Sequence, residues 1–310
     1  MKDKICMINS FYPELTVTSI EFLGAGYDSE AYAVNEQFVF KFPRHATAAA
    51  NLYKEAHVLM EIRDQLQINV PQVLFTGPSD DFKQMVFVGY ERIQGEALTP
   101  EIIQTLDEAV LNKLAKELAG FFSALHQIKL TTSIQGLHVD KKEKCQKEFD
   151  VIKSLVLPAV SSDSRDKINT LYKHILTADF EDTTCLVHND FGASNVFFDR
   201  ASNQICGIID FGDVAIYDRD IDFVCLLQSE EEGFDQEFVK TLLTYYNYNQ
   251  LDILQKKCGF NAFYAQFENV FLGYSFDMKD LLEEALASLK QGIQDYEEHV
   301  LIKQNYVYYI

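Results

Sequence analysis

The stretch that decides the fold runs from Leu186 to Asp213, LVHNDFGASNVFFDRASNQICGIIDFGD. It opens with His188-Asn189-Asp190, places Asn195 five residues after the aspartate, and closes on Asp210-Phe211-Gly212-Asp213. Between them lie two apolar, β-prone runs, 196–198 and 205–209, around the polar turn 200–204. Antiparallel pairing of such a hairpin puts the residue that leads into one strand beside the residue that ends the next. Asn195 and Asp210 are therefore expected at the same end, with Asp190 on the loop just before them. Mg2+ prefers hard oxygen ligands and takes only one or two protein carboxylates, leaving the other positions to phosphate oxygens. Phosphoryl transfer asks for such a set: one Asp to accept or orient the attacking hydroxyl, and an Asn and an Asp to hold the metal against a triphosphate. HxDxxxxN, then a hairpin, then DFG matches the kinase signature set. Either piece alone is compatible with a plain turn, because Asp and Gly are turn residues. Both together, in order and at hairpin spacing, point to chemistry.

Upstream, Gly24-Ala25-Gly26-Tyr27-Asp28-Ser29 follows a strand-like run at 19–23 and precedes another at 31–34. Glycines let backbone N–H groups approach phosphates, and Ser29 stands where a third glycine would be expected and offers a hydroxyl instead. Taken alone, the loop also reads as an ordinary hairpin. No GxxxxGK[ST] is present, so this is not a P-loop enzyme. Lys41 interrupts the apolar strand 38–42, which is joined to 31–34 by the turn Asn35-Glu36-Gln37. It is either a lysine guarding a sheet edge or one that grips the α and β phosphates; in the second case Glu55, on a helix expected over 52–65, is its ion partner. Two further strands are expected at 70–75 and 85–90, joined by the loop 77–81.

After Gly95 the texture changes. One long helix is expected over 100–128, with Pro100 at its first position, and the chain reads as helical again from about 234 to its end. The fold class is thus α+β: a bilobal, protein-kinase-like fold with a small β-rich N-lobe (1–93), a hinge near 90–98, and a larger, mainly helical C-lobe (94–310). The position two residues after Asp190, where protein kinases carry Lys, is Gly192. After DFG the chain runs through Asp213–Asp222 directly into the apolar run 223–227, with no long activation segment. No peptide platform remains, so the phosphoryl acceptor should be a small molecule.

Charge narrows the acceptor. Lys and Arg number 27 against 47 Asp and Glu, a net charge of −20. Phosphate backbones need a basic face, so a nucleic-acid partner is disfavoured, as is an anionic lipid surface. A cation is the natural complement. Residues 210–240 alone hold ten acids, among them Asp213, Glu230, Glu231 and Glu232, against Arg219 and Lys240. Asp213, Glu230, Glu231 and Glu268 are the candidates to bind a cationic substrate. Glu268 lies in the mostly apolar run 263–274, where an unpaired buried acid would be costly, whereas acids at 230–232 also suit a solvated turn or a helix start. No charge-free apolar run approaches the ~18 residues of a membrane span. The amino terminus, MKDKICMINS, lacks a signal-peptide core, and the six cysteines contain no CxxC pair. A cytoplasmic protein with reduced thiols is expected.

LVHNDFGASNVFF, GIIDFGDVAIYDRDIDFVCLL and VFVGYERIQGE resemble the aminoglycoside phosphotransferases, most of all the bacterial aminoglycoside 2''-phosphotransferases, and the resemblance runs from Gly24 through Tyr274. It implies Mg2+-dependent transfer of a nucleotide γ-phosphate to an aminoglycoside hydroxyl, giving antibiotic resistance. By that resemblance Asp190 is the catalytic base, Asn195 and Asp210 are the metal ligands, Lys41 and Glu55 hold the phosphates, and Ser29 touches them. His188 then braces the catalytic loop, Asp222 hydrogen-bonds that loop's backbone, and His126 is a structural helix residue. The family often has Gly between the His and Asp; here it is Asn189. Tyr90 and Ile93 belong to the last strand and hinge, 86–93, and line the nucleotide site. A Tyr at the gatekeeper position goes with GTP in the resembling enzymes, so GTP is expected ahead of ATP; a packing role for Tyr90 would leave either purine. A small-molecule kinase acting on a macrolide, choline or an amino-alcohol is the alternative. A catalytically silent nucleotide-binding module would be expected to have lost Asp190, Asp210 or Lys41, and none is lost. The protein is expected to be a monomer.

Overall fold

A computed structural model describes residues 1–79, 84–159, 162–177, 183–228 and 234–296. The helices are α1 (Lys2–Phe11), α2 (Ala46–Ile62), α3 (Pro100–Ile103), α4 (Glu108–Gln127), α5 (Lys141–Leu155), α6 (Ser162–Thr177), α7 (Ile221–Gln228), α8 (Gln236–Tyr246), α9 (Leu251–Ser275) and α10 (Lys279–Tyr296). The strands are β1 (Ile20–Ala25), β2 (Ser29–Val34), β3 (Phe38–Pro43), β4 (Val73–Pro78), β5 (Met85–Glu91), β6 (Glu96–Ala97), β7 (Thr184–Val187), β8 (Val196–Asp199), β9 (Gln204–Ile208) and β10 (Ala215–Asp218). The chain forms two compact units, one of Met1–His138 with Thr184–Asn247 and the other of Val139–Thr183 with Tyr248–Ile310. The hinge region near 90–98 lies inside the first.

In the first unit, β1 to β5 form an antiparallel sheet in the order β1-β2-β3-β5-β4. The β2–β3 turn places both Asn35 and Glu36 at positive φ, 53° and 59°. That is the twist a tight hairpin needs, and Asn tolerates it best among non-glycine residues. The expected long helix over 100–128 is in fact two. Thr99 caps α3 and Asp107 caps α4, each side chain accepting a backbone N–H of the first turn, so the chain restarts between them. α2 begins at Ala46, six residues earlier than its apolar face suggests, because Ala46, Ala48, Ala49 and Ala50 are strong helix formers that carry no amphipathic signal. The N-terminal region also has a second helix, α1, which the sequence reading did not foresee. Its Ile8 is fully buried among Tyr32, Val34, Phe40, Phe42 and Phe87, and Tyr12 beyond it both donates to the Thr76 carbonyl (3.0 Å) and accepts from the Thr76 N–H (2.8 Å).

The hairpin β8–β9 forms as the sequence implies, joined at one edge by the short β6. Gly95, just before β6, has φ +128°, and a Cβ there would lie 2.5 Å from Cys206 Sγ, so only glycine fits. Flanking the hairpin in sequence, β7 and β10 pair antiparallel, Val187 opposite Ala215. Phe122, Phe191, Phe198, Phe211 and Phe223 are all buried in this unit; at roughly 1.5–3 kcal/mol per buried aromatic they are a strong anchor for the loops that leave these strands.

The second unit is helical, and α5, α6, α9 and α10 share a core of Phe149, Ile152, Ile168, Tyr172, Phe267, Val270 and Leu289. All six cysteines are free. Among the described residues no helix is long and apolar enough to cross a membrane.

Candidate active site

Lys41 sits in the middle of β3, whose alternation sends Phe40 and Phe42 into the sheet's core and Lys41 to the other face. Its Nζ lies 3.1 Å from Glu55 Oε1, and 2.7 Å from Asp210 Oδ1. The Glu55 side chain is only 3% exposed. Burial works against the Lys41 ammonium, but the two carboxylates outweigh it and hold its pKa above the usual lysine range. The same lysine holds Asp210 below the usual carboxylate range. Tyr90 is buried on β5, opposite Val39. Burial and the nearby Glu55 charge push its phenol well up. Ile93 packs against Gly207, where a Cβ would lie 2.7 Å from its side chain.

The loop after β7 carries His188, Asn189 and Asp190. Its backbone is held by Asp222 from the start of α7, which accepts from the N–H of His188 (3.1 Å) and of Asn189 (2.7 Å). Asp222 also meets His126 Nε2 on α4 at 3.0 Å, and His126 Nδ1 lies 2.9 Å from the Tyr246 hydroxyl on α8. So four segments, α4, α7, α8 and the loop, converge on one fully buried carboxylate. His188 points inward, with Nε2 3.0 Å from the Ile209 carbonyl next to Asp210. It has no solvent access and cannot exchange protons with a substrate, which fits a brace and not a base. Asp190 is exposed. Asn195 donates Nδ2 to the Asp190 carbonyl at 2.9 Å, and its own carbonyl accepts from Ile209 N at 2.9 Å. The hairpin thus brings Asn195 to the start of the DFG turn. Asn189 has φ +69° and Asp210 +68°. Asn is one of the few non-glycine side chains that adopts such a backbone readily, which explains why it can stand at this position.

Among the described residues no three His, Cys, Asp or Glu gather as a metal site. One carboxylate, Asp210, and one amide oxygen, Asn195, suit Mg2+, which takes few protein ligands when phosphates supply the rest. With Nδ2 committed to the Asp190 carbonyl, the oxygen of Asn195 is the atom left for a cation. In the glycine loop, a Cβ on Gly24 or Gly26 would meet nothing within 4 Å, so the backbone there is open to approach. Ser29 opens β2, and its carbonyl accepts from Gly26 N at 2.9 Å.

Of the acids expected to hold a cationic substrate, Asp213 is exposed beside the DFG turn, its carbonyl accepting from Asn189 Nδ2 at 3.1 Å. Glu268 lies in the second unit and is ion-paired to Lys144 at 2.6 Å, so the cost of an unpaired acid is met within the chain. Glu230 and Glu231 lie outside the described residues. Several acids of the 210–240 run serve the fold: Asp218, Asp220 and Asp222 are buried, Asp220 pairs with Arg219 at 2.8 Å, and Asp235 caps α8. The sequence reading treated His126 as a plain helix residue. Its only signal was a lone histidine directly after the apolar run 118–125, which most often marks packing.

A lysine shared by a helix glutamate and the DFG aspartate, in the same unit as a glycine loop and a braced HxD loop, defines a kinase-type phosphotransferase. The sequence model of the APH phosphotransferase enzyme family matches residues 19–254, and the chain belongs to that family. Among solved structures, it is similar to APH(2'')-IIIa in complex with GDP and kanamycin, at TM-score 0.79 and 28% identity over 94% of this chain and 98% of that one. It is similar also to APH(2'')-IIa in complex with gentamicin, at TM-score 0.82 and 28% identity over 94% and 96%. Macrolide 2'-phosphotransferase type I shares the fold at TM-score 0.66 and 17% identity over 93% and 96%.

Proposed function

We propose that this chain transfers the γ-phosphoryl group of a nucleoside triphosphate, with Mg2+, to a hydroxyl of an aminoglycoside, the 2'' hydroxyl in the first instance, and so confers resistance. The observation that carries the reading is Lys41 held between Glu55 at 3.1 Å and Asp210 at 2.7 Å, on the same unit as the Asp190 loop. Lys41 then neutralises phosphate charge and Glu55 keeps its ammonium in place. Asn195 and Asp210 hold the metal, which when bound supplies charge neutralisation to the phosphates. Asp190, exposed and on a braced loop, takes the proton of the attacking hydroxyl. Residues 1–93 form the nucleotide-binding part, and 94–310 supply the catalytic loop and the acceptor site.

Two things favour a polycationic acceptor. The structural relatives at 27–28% identity are aminoglycoside kinases, solved with kanamycin, gentamicin or streptomycin among their complexes. The chain itself carries a net charge of −20, which attracts ammonium groups and repels anions. Asp213, Glu230 and Glu231 are the acids proposed to meet the ammonium groups. GTP is the proposed donor ahead of ATP, on the bulk of the buried Tyr90; relatives have been solved with GDP and with ATP. The protein is proposed to act as a cytoplasmic monomer.

The test is nucleoside diphosphate release by the purified protein with Mg2+ and GTP or ATP, with and without kanamycin- and gentamicin-type drugs. Strong stimulation at micromolar drug is expected. Slow hydrolysis indifferent to every aminoglycoside would overturn the acceptor assignment.

A further inference from the structure

The glycine loop contains an oddity for a phosphate site: Asp28, an acid where anions are to bind. Both of its oxygens face the start of α2, one through a hydrogen bond and the other through a longer contact at ion-pair distance. Asn51 Nδ2 donates to Oδ2 at 2.9 Å, and His45 Nε2 lies 3.4 Å from Oδ1. His45 is at the same time the N-cap of α2, its Nδ1 accepting from the Ala48 N–H at 3.1 Å. An Nδ1 that accepts carries no proton, so the ring hydrogen sits on Nε2 and faces Asp28. One imidazole therefore closes the helix with one nitrogen and reaches the loop with the other. The neighbouring residues tighten the connection. Arg44 Nη1 donates to the Gly26 carbonyl at 2.8 Å, the Arg44 N–H donates to the Asp28 carbonyl at 2.9 Å, and the Tyr27 ring lies 5.3 Å from the His45 ring. The helix so gripped is the one that carries Glu55, the partner of Lys41.

We propose that His45 and Asn51 are positioning residues for the nucleotide. They hold Asp28 turned away from the phosphate path and fix the glycine loop to the helix that sets Glu55, so that the loop and the Lys41–Glu55 pair are placed as one body. Without the grip, the Asp28 carboxylate is free to swing toward the phosphates and repel them. The inference rests on the kinase reading above and deepens its nucleotide site.

Capping and positioning are separable, because Asn and Asp both cap helices well. His45→Asn keeps the cap and loses the reach to Asp28. His45→Asp keeps the cap and sets a second carboxylate against the first. The experiment measures the Kd for a non-hydrolysable GTP or ATP analogue with Mg2+, the nucleotide KM and kcat, and the Tm, for both variants, for Asn51→Ala, and for His45→Asp combined with Asp28→Asn. The expected result is a near wild-type Tm for His45→Asn with Kd weakened about threefold to tenfold, less than the loss of a full hydrogen bond to a charged group because the contact is a long one. His45→Asp should weaken Kd further, Asp28→Asn should recover part of that loss, and the effect should fall on KM more than on kcat. Wild-type Kd in His45→Asn and His45→Asp alike would overturn the proposal and leave His45 a cap only. Failure of aminoglycosides to stimulate the wild-type protein would strike the acceptor assignment instead, and would leave this binding measurement intact.

Discussion

Lys41 Nζ and Asp210 Oδ1, 169 positions apart in sequence, lie 2.7 Å from each other, and the same ammonium is 3.1 Å from Glu55. One cation is shared by two carboxylates, of which Glu55 is the more deeply buried, at 3% exposure against 47% for the Asp210 side chain. Removing the lysine therefore costs most at Glu55. Lys41→Met is expected to lower kcat/KM at least about 100-fold, the usual scale for losing a preorganised charge at the reacting phosphates. It should also lower stability by about 3 kcal/mol, because a buried acid is left without its partner. Adding Glu55→Gln should recover most of that stability and none of the activity. Urea melts and steady-state kinetics on the three proteins check this; normal turnover in Lys41→Met would end the phosphate-gripping role.

Asp190 presents the opposite balance. It is exposed, and Asn195 uses its backbone carbonyl, not its side chain. Asp190→Ala should reduce kcat by roughly 10² to 10⁴, the range for a general base, with Tm within about 2 °C of wild type since little packing is lost. A variant that retains near-normal turnover would remove Asp190 from the mechanism.

The same contrast explains how much of the site was legible in the sequence. HxDxxxxN, the hairpin and DFG are spaced by local geometry, so the Asn195–Asp210 proximity follows from counting residues along two strands. The Lys41–Glu55 pairing followed because a strand lysine and a helix acid one element apart have few other reasons to meet. What was not legible depended on tertiary packing. The bracing of the loop by Asp222 came from the family resemblance alone, and the link through His126 to Tyr246 joins α4, α7 and α8 at separations that no local pattern encodes. Asp218 and Asp220 read as substrate-attracting charge and are instead buried structural acids. Glu268 read as an acid in want of a cation, and Lys144 on α5 supplies one. β7 and β10 are four residues each and pair across a long excursion of chain, so their period was too short to count.

Asn189 gives a backbone test. At φ +69° it sits where a β-branched residue is strained, and its Nδ2 also ties the loop to the Asp213 carbonyl. Asn189→Gly should fold and retain most activity. Asn189→Val should lose about 1–2 kcal/mol from the strained backbone alone, with a further fall in kcat as Asp190 is displaced. Equal stability for the two variants would show that the loop does not hold this conformation in solution.

Asp222 should be the least replaceable acid of the run. It has no solvent exposure and accepts from two backbone N–H groups of the catalytic loop. Asp222→Ala leaves those donors and His126 without their acceptor in a dry site, at a cost of about 3 kcal/mol or more. Asp222→Asn should be intermediate, since its amide can still accept on one atom. Chemical denaturation ranks the three; a variant as stable as wild type would mean that the loop is held by something else.

The last prediction concerns the second unit. Glu148 on α5 is 2% exposed, and burial raises its pKa from the ordinary value to about 8, Lys144 opposing and Glu268 reinforcing the shift. A carboxyl whose folded pKa lies above its unfolded one binds its proton more tightly when folded. Its contribution to stability is therefore complete below about pH 4.5, declines as pH rises, and is lost through pH 8. The whole protein's negative charge adds its own slope in the same direction, so the comparison must be between proteins and not between pH values. Glu148→Gln mimics the neutral form and cannot ionise. At pH 5 the variant and the wild type should melt at nearly the same temperature. Above pH 8 the variant should be the more stable by a few kcal/mol, because only the wild type must then either bury a charge or reprotonate to fold. Tm measured for both proteins from pH 5 to 9 decides it: parallel curves would mean that Glu148 is ionised and satisfied throughout, and a gap that opens with pH would place the proton on it in the folded state.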